Sequence, residues 1–239
     1  MTRIVDAHVH LWDRSRSRHA WMDTISDWPT RQLVDDLPAL DSHQRGIVLV
    51  EVDSDDEDAL AEAQHFSELA SSHDEVLGFV ANLPFTQDVP GLLAAYRDLP
   101  GWCGVRWLFQ DQPDDMIASS VSHRALELVE AAAVPFDLCV VSPQLGLAAS
   151  LVSEHPGLQI VLDHVGKPPF TRPHEWGQWD RVLRRLADLP NVAVKLSGLS
   201  AEAQGIPADE ALPQYRRVIE LALELFGPDR ALVGSDWPV

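Results

Sequence analysis

Gly46-Ile47-Val48-Leu49-Val50-Glu51-Val52 is the stretch on which the fold turns. It is short, rich in β-branched residues and apolar without alternation. That pattern suits a strand covered on both faces, as in a parallel sheet flanked by helices. Seven comparable runs accompany it, at Arg3–His8, Val76–Leu83, Cys103–Phe109, Pro135–Val141, Leu158–His164, Asn191–Leu196 and Ala231–Asp236. Most start some thirty residues apart, about the length of one βα unit.

The intervening segments carry helix punctuation. Ser54-Asp55-Asp56-Glu57 reads as a capping box on a solvated acidic helix start, ahead of a helix over Ala59–Ser71. Ser142-Pro143 reads as cap and first turn of a helix over Leu145–Glu154, and His155-Pro156-Gly157 stops it. Further helices are expected at Val89–Asp98, Ser122–Ala133, Trp179–Asp188 and Leu212–Phe226, the last closed by Gly227-Pro228. Eight strands with interleaved helices predict an α/β chain of the (β/α)₈ TIM-barrel class, one domain over residues 1–239. An open doubly wound sheet would place a glycine-rich phosphate loop after the first strand, where this chain has His8-Val9-His10. The sequence stops three residues past Asp236, so no eighth helix follows the last strand. The connection from Leu11 to Arg45 is the longest and is expected to be a lid or binding loop.

Composition narrows the functional classes. With 18 basic and 37 acidic residues the formal charge is −19, which repels nucleic-acid backbones and anionic membranes. No apolar run is long enough to span a bilayer and no signal core precedes Asp6, so the expected location is the cytoplasm. Cys103 and Cys139 both lie in apolar runs and read as buried thiols of a reducing compartment.

The chemistry-bearing residues cluster at predicted strand ends. In Asp6-Ala7-His8-Val9-His10 the alternation of a strand puts both imidazoles on one face, with Asp6 one step deeper. Two such imidazoles can bind a metal ion, or polarise a carbonyl and move a proton. Asp163-His164 and Asp236 close two later runs. Asp163 has the opposite parity to His164 and reads as outward or supporting. Arg106, inside Val105-Arg106-Trp107-Leu108-Phe109, requires a carboxylate, either on a substrate or inside the protein. Lys195 divides between facing the site and a structural pairing. Trp12, Trp21, Trp28, Trp107 and Trp237 could offer faces to a sugar-like ring or simply form core. His19, His43, His65, His73, His123, His155 and His174 read as solvated.

These blocks together resemble the amidohydrolase superfamily, in the branch called amidohydrolase family 2, and within it the TIM-barrel lactonases of sugar acids and of pyrone dicarboxylate. The resemblance rests on Asp6-Ala7-His8-Val9-His10-Leu11-Trp12, Gly104-Val105-Arg106, Leu162-Asp163-His164-Val165-Gly166-Lys167-Pro168, Lys195-Leu196-Ser197-Gly198-Leu199 and Gly234-Ser235-Asp236-Trp237-Pro238. It implies a hydrolase that opens a small lactone, with Asp236 as the base and His8, His10 and His164 beside it. Arg106, Trp12, Lys195 and Trp237 are the expected substrate contacts. It also implies one divalent metal, zinc foremost, on His8, His10, His164 and Asp236, although some similar lactonases are metal-free. The expected partner is a small-molecule substrate, with a homo-oligomer compatible. The alternatives are a zinc-dependent non-oxidative decarboxylase of the same family, or an inactive fragment acting as a binding module.

Overall fold

The structure, a computed structural model, describes residues 3–25, 27–39 and 44–239. Its contacts divide the chain into two compact units. The first holds Met1–Trp107 with Ser235–Pro238, and the second Leu108–Gly234 with Val239.

In the first unit four strands run parallel in chain order: β1 (Arg3–Val9), β2 (Gln44–Val50), β3 (Val76–Asn82) and β4 (Trp102–Leu108). Their register sets Asp6 beside Ile47, Leu49 beside Phe79 and Asn82 beside Arg106. Ile47, Leu49 and Val50 are fully buried, as the unbroken apolar run requires. Helix α1 (Ala59–Ser72) buries Ala59, Ala63 and Phe66, one face at helical spacing. Helix α2 (Val89–Arg97) begins where the Asp88 carboxylate accepts from the Gly91 amide at 3.1 Å.

The second unit repeats the pattern with β5 (Phe136–Cys139), β6 (Ile160–Leu162), β7 (Val192–Leu196) and β8 (Ala231–Val233), all parallel and in chain order. Helix α3 (Ser120–Ala132) is capped by the Ser119 hydroxyl. It ends at Ala133, whose φ of 56° is left-handed. Helices α4 (Leu145–Ser153), α5 (Trp176–Ala187) and α6 (Ala208–Phe226) are the other long helices described in this unit. Helix α5 buries Trp179, Val182, Leu183 and Leu186, the spacing of an amphipathic stripe. The eight parallel strands with helices between them are the (β/α)₈ fold. Among the described residues no helix is long and apolar enough to cross a membrane.

Four local readings are corrected. Ser54-Asp55-Asp56-Glu57 forms no capping box. Asp55 and Asp58 instead accept the amides of Ala20 and Arg18 at 2.8 and 2.7 Å, so the acidic cluster fastens the long first loop to the start of α1. Ser142 does not cap α4. Its hydroxyl donates to Glu175 at 3.3 Å, and the Gln144 side chain accepts the Val141 amide. Cys103 is exposed, and of the two cysteines Cys139 alone is buried. Helices α5 and α6 start three to four residues earlier than expected. Pro207 and the acidic first turn Asp209-Glu210 favour the earlier start of α6.

The described residues of the first loop are fastened at several points. Trp12 and Asp13 pair antiparallel with Gln32 and Arg31. Trp12 is fully buried, donates its Nε1–H to Pro29 O at 2.9 Å and stacks on Trp28 at 5.1 Å. Trp21 packs edge-on against Trp28 and donates to Val52 O. His19, expected in solvent, is fully buried, 3.1 Å from Glu62 Oε1. His155 is also buried and His65, His73 and His123 half-buried, whereas His174 is exposed. His43 lies outside the described residues.

Burial pushes the Glu62 carboxyl above the ordinary carboxylate range. The hydrogen bond from His19 opposes this, and the nearby Glu51 charge reinforces it. The native state therefore holds this proton more tightly than the unfolded chain. The contribution is fullest below the ordinary carboxyl value and is lost as pH rises through the raised native value. Glu62→Gln keeps the hydrogen-bonding shape and removes the titration. Its stability relative to the parent should grow as pH rises above the ordinary carboxyl value. Denaturant midpoints measure this, and a difference that ignores pH would defeat the assignment.

Candidate active site

Strand β1 delivers both imidazoles as alternation predicts. His8 Nε2 and His10 Nε2 stand 3.1 Å apart with both rings buried. The segment Ser235–Pro238 lies beside the same strand end. Asp236 N donates to His8 O at 2.9 Å, and His10 N donates to Trp237 O at 2.8 Å. Asp236 itself takes a left-handed φ of 63°. This brings its Oδ1 to 3.4 Å from His8 Nε2 and 3.3 Å from His10 Nε2. Asp6 does a different job: its carboxylate accepts the amides of Ser235 and His8 at 2.8 and 3.3 Å, stapling the two segments together.

Hydrogen-bond chemistry fixes what these atoms are. His10 Nδ1 lies 3.0 Å from the Val50 carbonyl, which only accepts, so Nδ1 carries the proton. The neutral His10 ring then has a lone pair on Nε2. Arg106 Nη1, which only donates, sits 3.4 Å from His8 Nε2, so that nitrogen accepts as well. With the Asp236 carboxylate, three acceptors meet at 3.1–3.4 Å. A divalent cation completes such a donor set, and two imidazoles with one carboxylate suit zinc.

Arg106 is held from behind by a residue that sequence reasoning missed. Its Nε donates to Glu51 Oε1 and its Nη2 to Glu51 O at 2.8 Å. Both side chains are buried. An internal carboxylate thus meets the Arg106 guanidinium. The signal was available: Glu51 is a lone charge between Val50 and Val52, matching a lone Arg106 in another apolar run.

In the second unit, His164 is buried with Nδ1 2.9 Å from Ser197 Oγ. It sits in a turn where His164, Val165, Gly166 and Lys167 all have φ between 50° and 67°. Left-handed backbone at a β-branched residue such as Val165 is strained, and strain of this kind gathers at functional sites. Lys195 does not reach toward solvent. It pairs with Asp137 and lies 3.1 Å from Asp163 Oδ1, all three buried. The structural pairing therefore holds for Lys195, and Asp163 faces inward rather than outward. Trp12 is buried, bonded and stacked inside the first loop. Trp237 is half-buried beside Asp236.

The sequence profile of the amidohydrolases matches residues 5–239. The chain belongs to the amidohydrolase family. An L-fucono-1,5-lactonase of Burkholderia ambifaria is 29% identical over 100% of this chain and 81% of its own length. A second L-fucono-1,5-lactonase, from Burkholderia multivorans, is 35% identical over 57% of this chain and 49% of its own length. The crystal structure of a Burkholderia multivorans amidohydrolase with bound zinc superposes with a TM-score of 0.82 at 26% identity. The match covers 99% of this amidohydrolase and 85% of that chain.

Proposed function

We propose that this amidohydrolase opens a small sugar-acid lactone by attack of water on the ester carbonyl. The observation that carries the reading is the meeting of His8 Nε2, His10 Nε2 and Asp236 Oδ1 as three acceptors at one strand end. The two L-fuconolactonases similar to this chain direct the reading to sugar-acid lactones.

His8, His10 and Asp236 would hold one divalent ion, which supplies Lewis acidity to the carbonyl and acidifies bound water. The remaining work belongs to the chain. Asp236, with a second carboxylate oxygen beyond the one facing the histidines, accepts the proton of the attacking water and returns it to the departing alkoxide. Val50 O holds the His10 ring in one tautomer through the nitrogen opposite Nε2, and Arg106, fixed by Glu51, stands as a positive charge beside His8. Trp237 is assigned to the sugar face.

The test is a panel of L-fuconolactone, L-rhamnonolactone, pyrone dicarboxylate and hydroxybenzoates, offered to the zinc-loaded full chain. The expected result is acid release from a sugar-acid lactone. Inertness toward every lactone, with carbon dioxide released from a hydroxybenzoate, would overturn the reading.

A further inference from the structure

Helix α3 and the end of α4 hold two histidines that the proposed reaction does not use. His123 lies in the first turns of α3, and Glu130 stands two turns further along the same helix. Glu154 and His155 follow directly after α4. The four fall into two matching pairs. His123 Nδ1 is 3.8 Å from Glu154 Oε2, and His155 Nδ1 is 3.6 Å from Glu130 Oε2. The two imidazole centroids are 5.6 Å apart.

Three features distinguish this cluster from ordinary surface ion pairs. His155 is buried to 5% exposure, and its Nε2 has no hydrogen-bond partner among the described residues. A buried ring nitrogen without a partner is destabilising, so something outside the chain is expected to satisfy it. The backbone of His155 is anchored, since its carbonyl accepts from Asn191 Nδ2 and from the Leu158 amide at 3.2 and 3.1 Å. Gly157 leaves room for the Glu130 carboxylate, where a Cβ would collide.

Histidines that bind metals through Nε2 commonly give Nδ1–H to a carboxylate, which fixes the tautomer and raises basicity. Both rings here turn Nδ1 toward a glutamate. Two imidazoles on one tetrahedral zinc place their centroids roughly 5–6 Å apart, and the observed separation falls inside that span.

We propose that His123 and His155 form a second divalent transition-metal site, separate from His8, His10 and Asp236, with Glu154 and Glu130 behind the two ligands. Water completes the shell, because His123 is 31% exposed at its side chain. Borderline ions such as zinc or copper suit two imidazoles, whereas magnesium and calcium, which prefer oxygen, do not.

The experiment is zinc titration of the metal-stripped full chain by calorimetry, with metal counted after gel filtration. His123→Ala, a half-exposed position on a helix surface, should remove one zinc equivalent while leaving the metal-free melting temperature unchanged. Glu130→Gln should keep the stoichiometry and weaken that equivalent about 10-fold or more. A His8→Ala/His10→Ala chain should retain the zinc that His123→Ala loses. Identical zinc count and affinity in the parent and in His123→Ala would overturn the proposal. So would magnesium competing equally with zinc for that equivalent.

Discussion

Asp236→Asn is expected to lower kcat on the best lactone by roughly 10²–10⁴, the usual worth of a positioned general base. KM should move little. Asparagine keeps the shape of the side chain and tolerates a left-handed backbone, as φ of 63° at this position demands. The amide that donates to His8 O is unaffected. Stability should therefore change by less than about 1 kcal/mol, so a lost rate reports lost chemistry rather than lost fold. One carboxylate oxygen faces both histidines, and its replacement by an amide oxygen should also weaken zinc in this site. Steady-state kinetics with a parallel melt decide the matter. Parental kcat in Asp236→Asn would remove the aspartate from the mechanism.

Glu51→Ala should be the most destabilising substitution at this site, at about 3–5 kcal/mol. The reason is what it leaves behind. Arg106 is 4% exposed, and Glu51 supplies both a carboxylate and a main-chain carbonyl to its guanidinium. Removing the carboxylate takes the bonded counter-charge from a buried cation, and removing both charges does not. The double variant Glu51→Ala/Arg106→Met should recover most of the loss in denaturant melts while remaining poorly active, because the fixed positive charge beside His8 is gone. A double variant no more stable than the single one would show that Glu51 acts through packing alone. Arg106→Lys, which cannot donate along two edges at once, should follow Glu51→Ala in direction with a smaller effect.

Much of this was legible in the residues. Alternation along β1 placed His8 and His10 together, and unbroken apolar runs such as Ile47–Val50 marked strands covered on both faces. The failures share a cause. His19 and Trp12 lie in a loop with no period, where burial is decided by partners such as Glu62 and Pro29 that are remote in sequence. Lys195 and Arg106 were recognised as charges in apolar strands, but their partners Asp137 and Glu51 sit on other strands, which only the register selects. The acidic segment at 55–58 looked like a solvated helix start because nothing local reveals that residues 18 and 20 supply its amides.

The staple at Asp6 ties residues 229 positions apart. On a ribosome adding roughly 5–20 residues per second, the aspartate would wait on the order of 10–50 s for its partner amide to be made. During that interval His8 and His10 exist without Asp236, and no nascent chain can hold the three donors together. Such distant closures are slow steps in folding. A chain stalled before residue 235 would thus hold His8 and His10 without the aspartate that meets them.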